Sequence, residues 1–332
     1  MKPKNLAGFL TIVAATPALF SQTPPHAILA VDIQNVVIYQ QDFGDAARFA
    51  TVPNIVAPPP IRNFVPVIWL ADIVAVNGKP AKGTWTVRGT LVSRGTTVSP
   101  GDAIADSGAS FFFDWVFDVR QVDGTQVGTI MASGWGGAAK PPGAPSSFIQ
   151  ANVAVTGGTG AFLGVRGQGA QGGATDPGRI ASMAEDPAYR RINGGGSRRY
   201  VFHLIPMFRP EIVSTASGPA LLHASDFSLV TSAKPAHSGE ILSVFASGLG
   251  PTRPGVDPGQ PFPASPLQPV NSPVEVAVNG NPAEVLYAGG YPGAVDRYQV
   301  NFRVPEGIAS GAATIRLTSG FIPGSEVTLP IQ

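Results

Sequence analysis

Five polar residues fall where strand signals are strong: Arg88, Asp114, Asn152, Arg166 and His203. Two guanidiniums, a carboxylate, an amide and an imidazole can pair charges, donate hydrogen bonds and orient a small ligand. In a β-barrel wall alternate residues point inward, so these five are the candidate pocket residues. The competing reading puts them on the solvated outside, with the apolar residues of the same strands filling the interior. Burial favours the outside, because Phe111, Phe113, Trp115, Phe117 and Val119 share one face of one strand and must be covered.

No sharper catalytic set is present. The chain has no Gly-x-Ser-x-Gly elbow, no Ser-x-x-Lys and no His-Glu-x-x-His, so no catalytic residue is assigned. His26, His203, His223 and His237 are scattered away from metal-ligand spacing, and Asp and Glu form no calcium loop. Cysteine is absent, which removes thiolate nucleophiles, disulfides and Cys-ligated metals. Neither cofactor nor metal is expected.

The run from Thr156 to Gly164, Thr-Gly-Gly-Thr-Gly-Ala-Phe-Leu-Gly, looks like a dinucleotide-binding glycine turn. Its continuation, Val165 to Gly169, lacks a helical apolar period, and no acidic residue ends a second strand about 20 positions on. A hairpin fits better, with Gly157 to Gly160 turning and Ala161–Gln168 returning.

These residues need strands to position them. Period-two or β-rich segments recur at Ile33–Gln41, Val67–Val76, Thr84–Ser93, Ser110–Val122, Thr125–Ser133, Phe148–Thr156, Ala161–Gln168 and Arg198–Ile205. Eight such strands suit an antiparallel barrel, which leaves no open edge. Residues 42–66 carry five prolines and read as a long connection. The Gly- and Arg-rich insert 169–197 reads as a mobile loop with one helical turn near Ile180–Glu185; a functional lid is the sharper alternative. A second set of strands at Ile241–Ala246, Val274–Val278, Ala283–Tyr287, Tyr298–Val304, Thr314–Thr318 and Glu326–Ile331 suggests an immunoglobulin-like β-sandwich. The chain is thus expected to be all-β, an eight-stranded barrel over 33–206 and a sandwich over 212–332.

Composition agrees. Of 332 residues, 40 are Gly and 33 Pro, too many for long helices. Charged residues are only 13% and the formal net charge is +1, which gives no field for nucleic acid. Lys2 and Lys4 precede an uncharged, largely apolar run from Leu6 to Phe20, the layout of a secretory signal peptide over 1–21. Secretion or a place in the cell envelope is expected, with no membrane span once the signal is removed.

Two resemblances add to this. Gly83 to Thr90, Phe111 to Val119, and Gly157, Gly158, Thr159, Gly160, Phe162, Arg166 and Gly167 resemble the dirigent and allene oxide cyclase-like barrels, with Val165 in place of an alanine. That resemblance implies an eight-stranded barrel, often oligomeric, with a largely apolar pocket in which Arg166 takes part. It also implies dirigent-like steering of radicals or cyclase-like ring closure as an alternative activity. Gly248 to Thr252, Asn279 to Ala283 and Tyr298 to Pro305 resemble a C-terminal domain of secreted acidobacterial proteins, distantly similar to IPT/TIG domains. That domain implies an accessory role. The expected function is an exported, non-enzymatic binding module whose barrel takes a small hydrophobic or aromatic ligand. A homo-oligomer through the barrel and a structural surface role remain alternatives.

Overall fold

A computed structural model describes residues 27–40, 65–92, 110–136, 143–173 and 176–332. The signal segment 1–21 and residues 42–64 of the long connection lie outside the described residues. The barrel strands are β1 (Ala27–Gln40), β2 (Val65–Val76), β4 (Lys82–Val92), β5 (Ser110–Arg120), β6 (Gln126–Gly136), β7 (Gln150–Gly160), β8 (Arg166–Gln171) and β10 (Gly196–Ile205). A two-residue β3 (Lys79–Pro80) and a short β9 (Arg179–Ser182) attach to them. Pairing runs β2-β4-β5-β6-β7-β8-β10-β1, and β1 pairs back to β2, so the eight strands close antiparallel.

The interior comes from alternation. Phe113, Trp115, Phe117 and Val119 of β5 point inward and are at most 7% exposed. Trp69, Trp85, Tyr200 and Phe202 join them, with close ring centroids 4.9 to 5.8 Å apart and largely edge-to-face, as aromatic quadrupoles prefer. Each such side chain contributes about 2 kcal/mol of burial, so this stripe is the main hydrophobic term of the barrel.

Two sequence expectations need correction here. The hairpin between β7 and β8 turns at 161–165, and Gly157 to Gly160 belong to β7. Bare backbone is needed there because Phe162 folds back into the core: a Cβ on Gly158 would stand 2.5 Å from the Phe162 carbonyl oxygen. The insert 169–197 also differs. Residues 179–182 form β9, parallel to β1, and the helical turn is a 3-10 turn at Pro187–Arg191 capped by Asp186. This strap covers an outer apolar cluster of Val37, Tyr39 and Ala181 with Ile68 and Leu70. It is fastened by Asp72, whose carboxylate accepts from Arg190 (2.6 Å), Arg191 (2.6 and 3.0 Å) and Asn35 (2.9 Å).

The second unit contains β11 (Glu211–Ile212), β12 (Ser214–Thr215), β13 (Gly218–Pro219), β14 (Leu221–His223), β15 (Ile241–Ser247), β16 (Val274–Val278), β17 (Asn281–Gly290), β18 (Tyr298–Arg303), β19 (Gly311–Ser319) and β20 (Ile322–Ile331). Eight of these form one sheet, ordered β11-β15-β18-β17-β16-β19-β20 with β14 beside β15, while β12 and β13 pair only with each other. The sheet nearly closes: β11 returns beside β20, and Ser325 Oγ donates to Glu211 at 3.2 Å. Its core holds Leu242, Val244, Val276, Val300, Phe302, Ile315 and Leu317. Asn279 (φ 48°) and Gly280 (φ 77°) form the expected tight turn between β16 and β17.

The barrel's two ends are unequal. At one end the connections are short: 77–81, 121–125 and 161–165. The second unit docks there. Asn271 exchanges hydrogen bonds with Gln126 (2.6 Å) and Gln121 (2.8 Å), and Lys79 pairs with Glu275. The β19–β20 turn pushes Phe321 and Ile322 into the barrel's own core cluster, at 8% and 2% exposure. At the other end every connection is longer, spanning 41–64, 93–109, 137–149 and 172–195. No helix among the described residues is long and apolar enough to cross a membrane.

Candidate functional site

The five candidate residues all lie on the outer wall or half-buried within it. Arg88 and Asp114 are the pair that meets, because β4 and β5 place them directly opposite one another. Arg88 Nη2 donates to Asp114 Oδ2 at 2.8 Å, and Ser133 Oγ donates to Asp114 Oδ1 at 3.0 Å. Both side chains of the pair are well exposed, at 79% and 52%. The Arg88 guanidinium, then Ser133, hold the Asp114 carboxyl below the usual carboxylate range. Asp114 is therefore an anion at neutral pH whose two oxygens are already used, which suits charge pairing and makes it a poor general base.

The other three are separate. Asn152 is half-buried on β7. Arg166, exposed on β8, donates to the Val165 carbonyl at 3.1 Å. His203 on β10 shares a 3.2 Å hydrogen bond with Ser147 and stacks edge-on with Phe148 at 5.2 Å. Burial lowers the His203 pKa and so favours its neutral form.

Around the Arg88–Asp114 pair the outer wall is concave. A hollow of about 650 Å³ is lined by Pro66, Arg88, Thr90, Phe112, Asp114 and Ser133 together with Gly89, Phe113 and Gly134. Phe112 is 55% exposed, large and apolar beside the charged pair. The hollow lies toward the long-connection end of β2, β4, β5 and β6. Ser133 was missed from the sequence, and its signal was its register opposite Asp114.

Inside the barrel a second group gathers. Tyr200 stands 4.9 Å from Trp115 and 5.0 Å from Trp85, and burial pushes its hydroxyl pKa up to about 12. The Arg198 guanidinium lies 4.7 Å over the Trp69 ring. The indole N–H groups of Trp85 and Trp115 are buried without a hydrogen-bond acceptor among the described residues. Arg198 shares inward parity with Tyr200 and Phe202, a pattern readable in the sequence. The aromatic side chains themselves occupy the inner space along the described strands.

Among the described residues no group of three or more His, Cys, Asp or Glu could hold a metal ion. No protein-family model, curated protein or solved structure matches the chain.

Proposed function

We propose that the protein is an exported, non-enzymatic binding module whose ligand site is the outer hollow around Phe112, Arg88 and Asp114. One observation carries this reading. The hollow joins an exposed aromatic ring to a pre-formed guanidinium–carboxylate pair, which is the mixture of apolar surface and few polar groups that ligand sites use. The ligand class is a small hydrophobic or aromatic compound bearing a polar group. Export rests on the Lys2, Lys4 and Leu6 to Phe20 pattern. The second unit, read as an immunoglobulin-like accessory domain of the IPT/TIG type, supports the barrel from below.

The dirigent- or cyclase-like alternative asks for an inner pocket. The inward packing of Trp69, Trp85, Trp115 and Phe117 weighs against it over the described strands. The same packing favours a second reading, a structural component of the cell surface.

Thermal-shift and tryptophan-fluorescence titration with phenolic acids and medium-chain fatty acids tests the proposal. Saturable binding that weakens in Phe112→Ala and in Asp114→Ala is the expected result. If no compound binds, or if both variants bind as well as the parent chain, the hollow is not the site and the structural reading takes over.

A further inference from the structure

We propose that the outer face of β15, β18 and β17 in the second unit binds a neutral oligosaccharide. The face is built around two amides. Asn301 Oδ1 accepts from Ser243 Oγ at 2.9 Å and from Gln299 Nε2 at 2.9 Å. Those two bonds fix the two amides relative to one another. They leave the Asn301 NH₂ as a donor and the Gln299 carbonyl as an acceptor, neither used by another described residue. Ser243 is 1% exposed, so the arrangement is anchored in the sheet and does not float on it. One donor and one acceptor, presented from alternate residues of one strand, suit the hydroxyls of a sugar, each of which both donates and accepts.

Aromatic rings flank the amides at the same level of the sheet. Tyr287 is directly opposite Asn301 on β17, and Phe245 is directly opposite Gln299 on β15. Phe245 packs edge-on against Tyr291 at 5.0 Å, and Tyr291 is 41% exposed. Tyr287 lies along the sheet over Gly289, where a Cβ would stand 2.2 Å from its hydroxyl oxygen. Glycine at 289 is what lets that ring lie down. A ring lying along the sheet gives the C–H surface of a pyranose an apolar floor, while the amides supply its hydroxyls with a donor and an acceptor.

Charge selects the ligand further. The outward positions Ser243, Phe245, Tyr287, Gly289, Gln299 and Asn301 carry no charge. At their border Arg303 is already paired with Glu284 at 3.1 Å. An ionic ligand finds no free counter-charge at the centre, whereas a neutral polyhydroxylated one finds both donor and acceptor pre-oriented, which lowers the ordering cost of binding.

Isothermal titration of the full chain with cellohexaose, xylohexaose, maltohexaose and chitohexaose tests this. At least one should bind, and Tyr287→Ala and Asn301→Asp should each weaken it by about tenfold or more. Asn301→Asp keeps the accepting oxygen and removes the donor. Urea melts followed by far-ultraviolet circular dichroism, which sees both sheets, beside tryptophan emission, which sees the barrel alone, check that the second unit of each variant is folded. Gln299→Ala serves where either variant fails that check. Absence of binding to all four sugars at millimolar concentration overturns the proposal, as does binding that survives every folded variant. Asp114→Ala should leave sugar binding unchanged, which separates this site from the barrel hollow.

Discussion

The turn joining β19 to β20 offers a test in which the sign of the effect decides. Gly320 and Phe321 both have positive φ, 56° and 68°. A bulky side chain in the left-handed region costs about 1 kcal/mol or more, so Asn or Gly at 321 relieves strain. Yet Phe321 is 8% exposed and belongs to the barrel's core cluster beside Ile322, although it comes from the other unit. Losing a buried Phe side chain costs about 3–5 kcal/mol. The burial term wins, so Phe321→Asn should destabilise the protein by about 2–4 kcal/mol. A solvent-facing turn residue would give the opposite sign, a gain of about 1 kcal/mol. The tryptophans supply the readout. All four, Trp69, Trp85, Trp115 and Trp135, are on barrel strands, so their fluorescence reports barrel unfolding alone. Urea titration followed by tryptophan emission should show the midpoint fall by about 1 M, given m-values of about 3 kcal/mol/M. A midpoint that stays put or rises would refute the claim that the second unit completes the barrel core.

Two further outcomes rest on the packing. Gly169→Ala places a Cβ 2.5 Å from the Phe202 ring, so overpacking should cost about 1–3 kcal/mol, read as a lower urea midpoint. For Asp72, burial works to raise the pKa, but hydrogen bonds from Arg191, Asn35 and Arg190 outweigh it and lower the value. Its stabilising contribution is therefore present above the ordinary Asp pKa and lost as pH falls through the depressed one. Asp72→Asn should loosen the strap at neutral pH and speed tryptic cleavage after Arg190 and Arg191, with parent-like cleavage rates counting against the clasp.

The barrel was legible because its strands are strongly patterned. Each of its eight strands overlaps a segment marked by alternation or β-rich composition, and the inward run Phe113, Trp115, Phe117 and Val119 could be read directly. Boundaries were less legible where glycine dominates, as at Gly157 to Gly160. Glycine signals a turn and equally a strand over which another side chain folds, and only Phe162 returning beneath β7 distinguishes the two. The insert 169–197 misled for a related reason: its glycines suggest mobility, but its arginines find Asp72 more than 100 residues away.

The candidate site divides the same way. Polar residue types and their strand positions came from the chain alone, whereas the pairing of Arg88 with Asp114 came from the register of β4 against β5. The outer face was already favoured by the aromatic run that must be covered, and closure settles it: once the aromatic residues of β5 and β10 fill a barrel of eight strands, polar neighbours one residue away must face out. Local sequence sets alternation, strand count and turn chemistry, because those depend on near neighbours. Only the tertiary structure decided that Phe321 belongs to the other unit's core, that Asp72 clasps a strap and that the second sheet nearly closes. Each of those depends on residues distant in sequence and adjacent in space, where burial outweighs local preference.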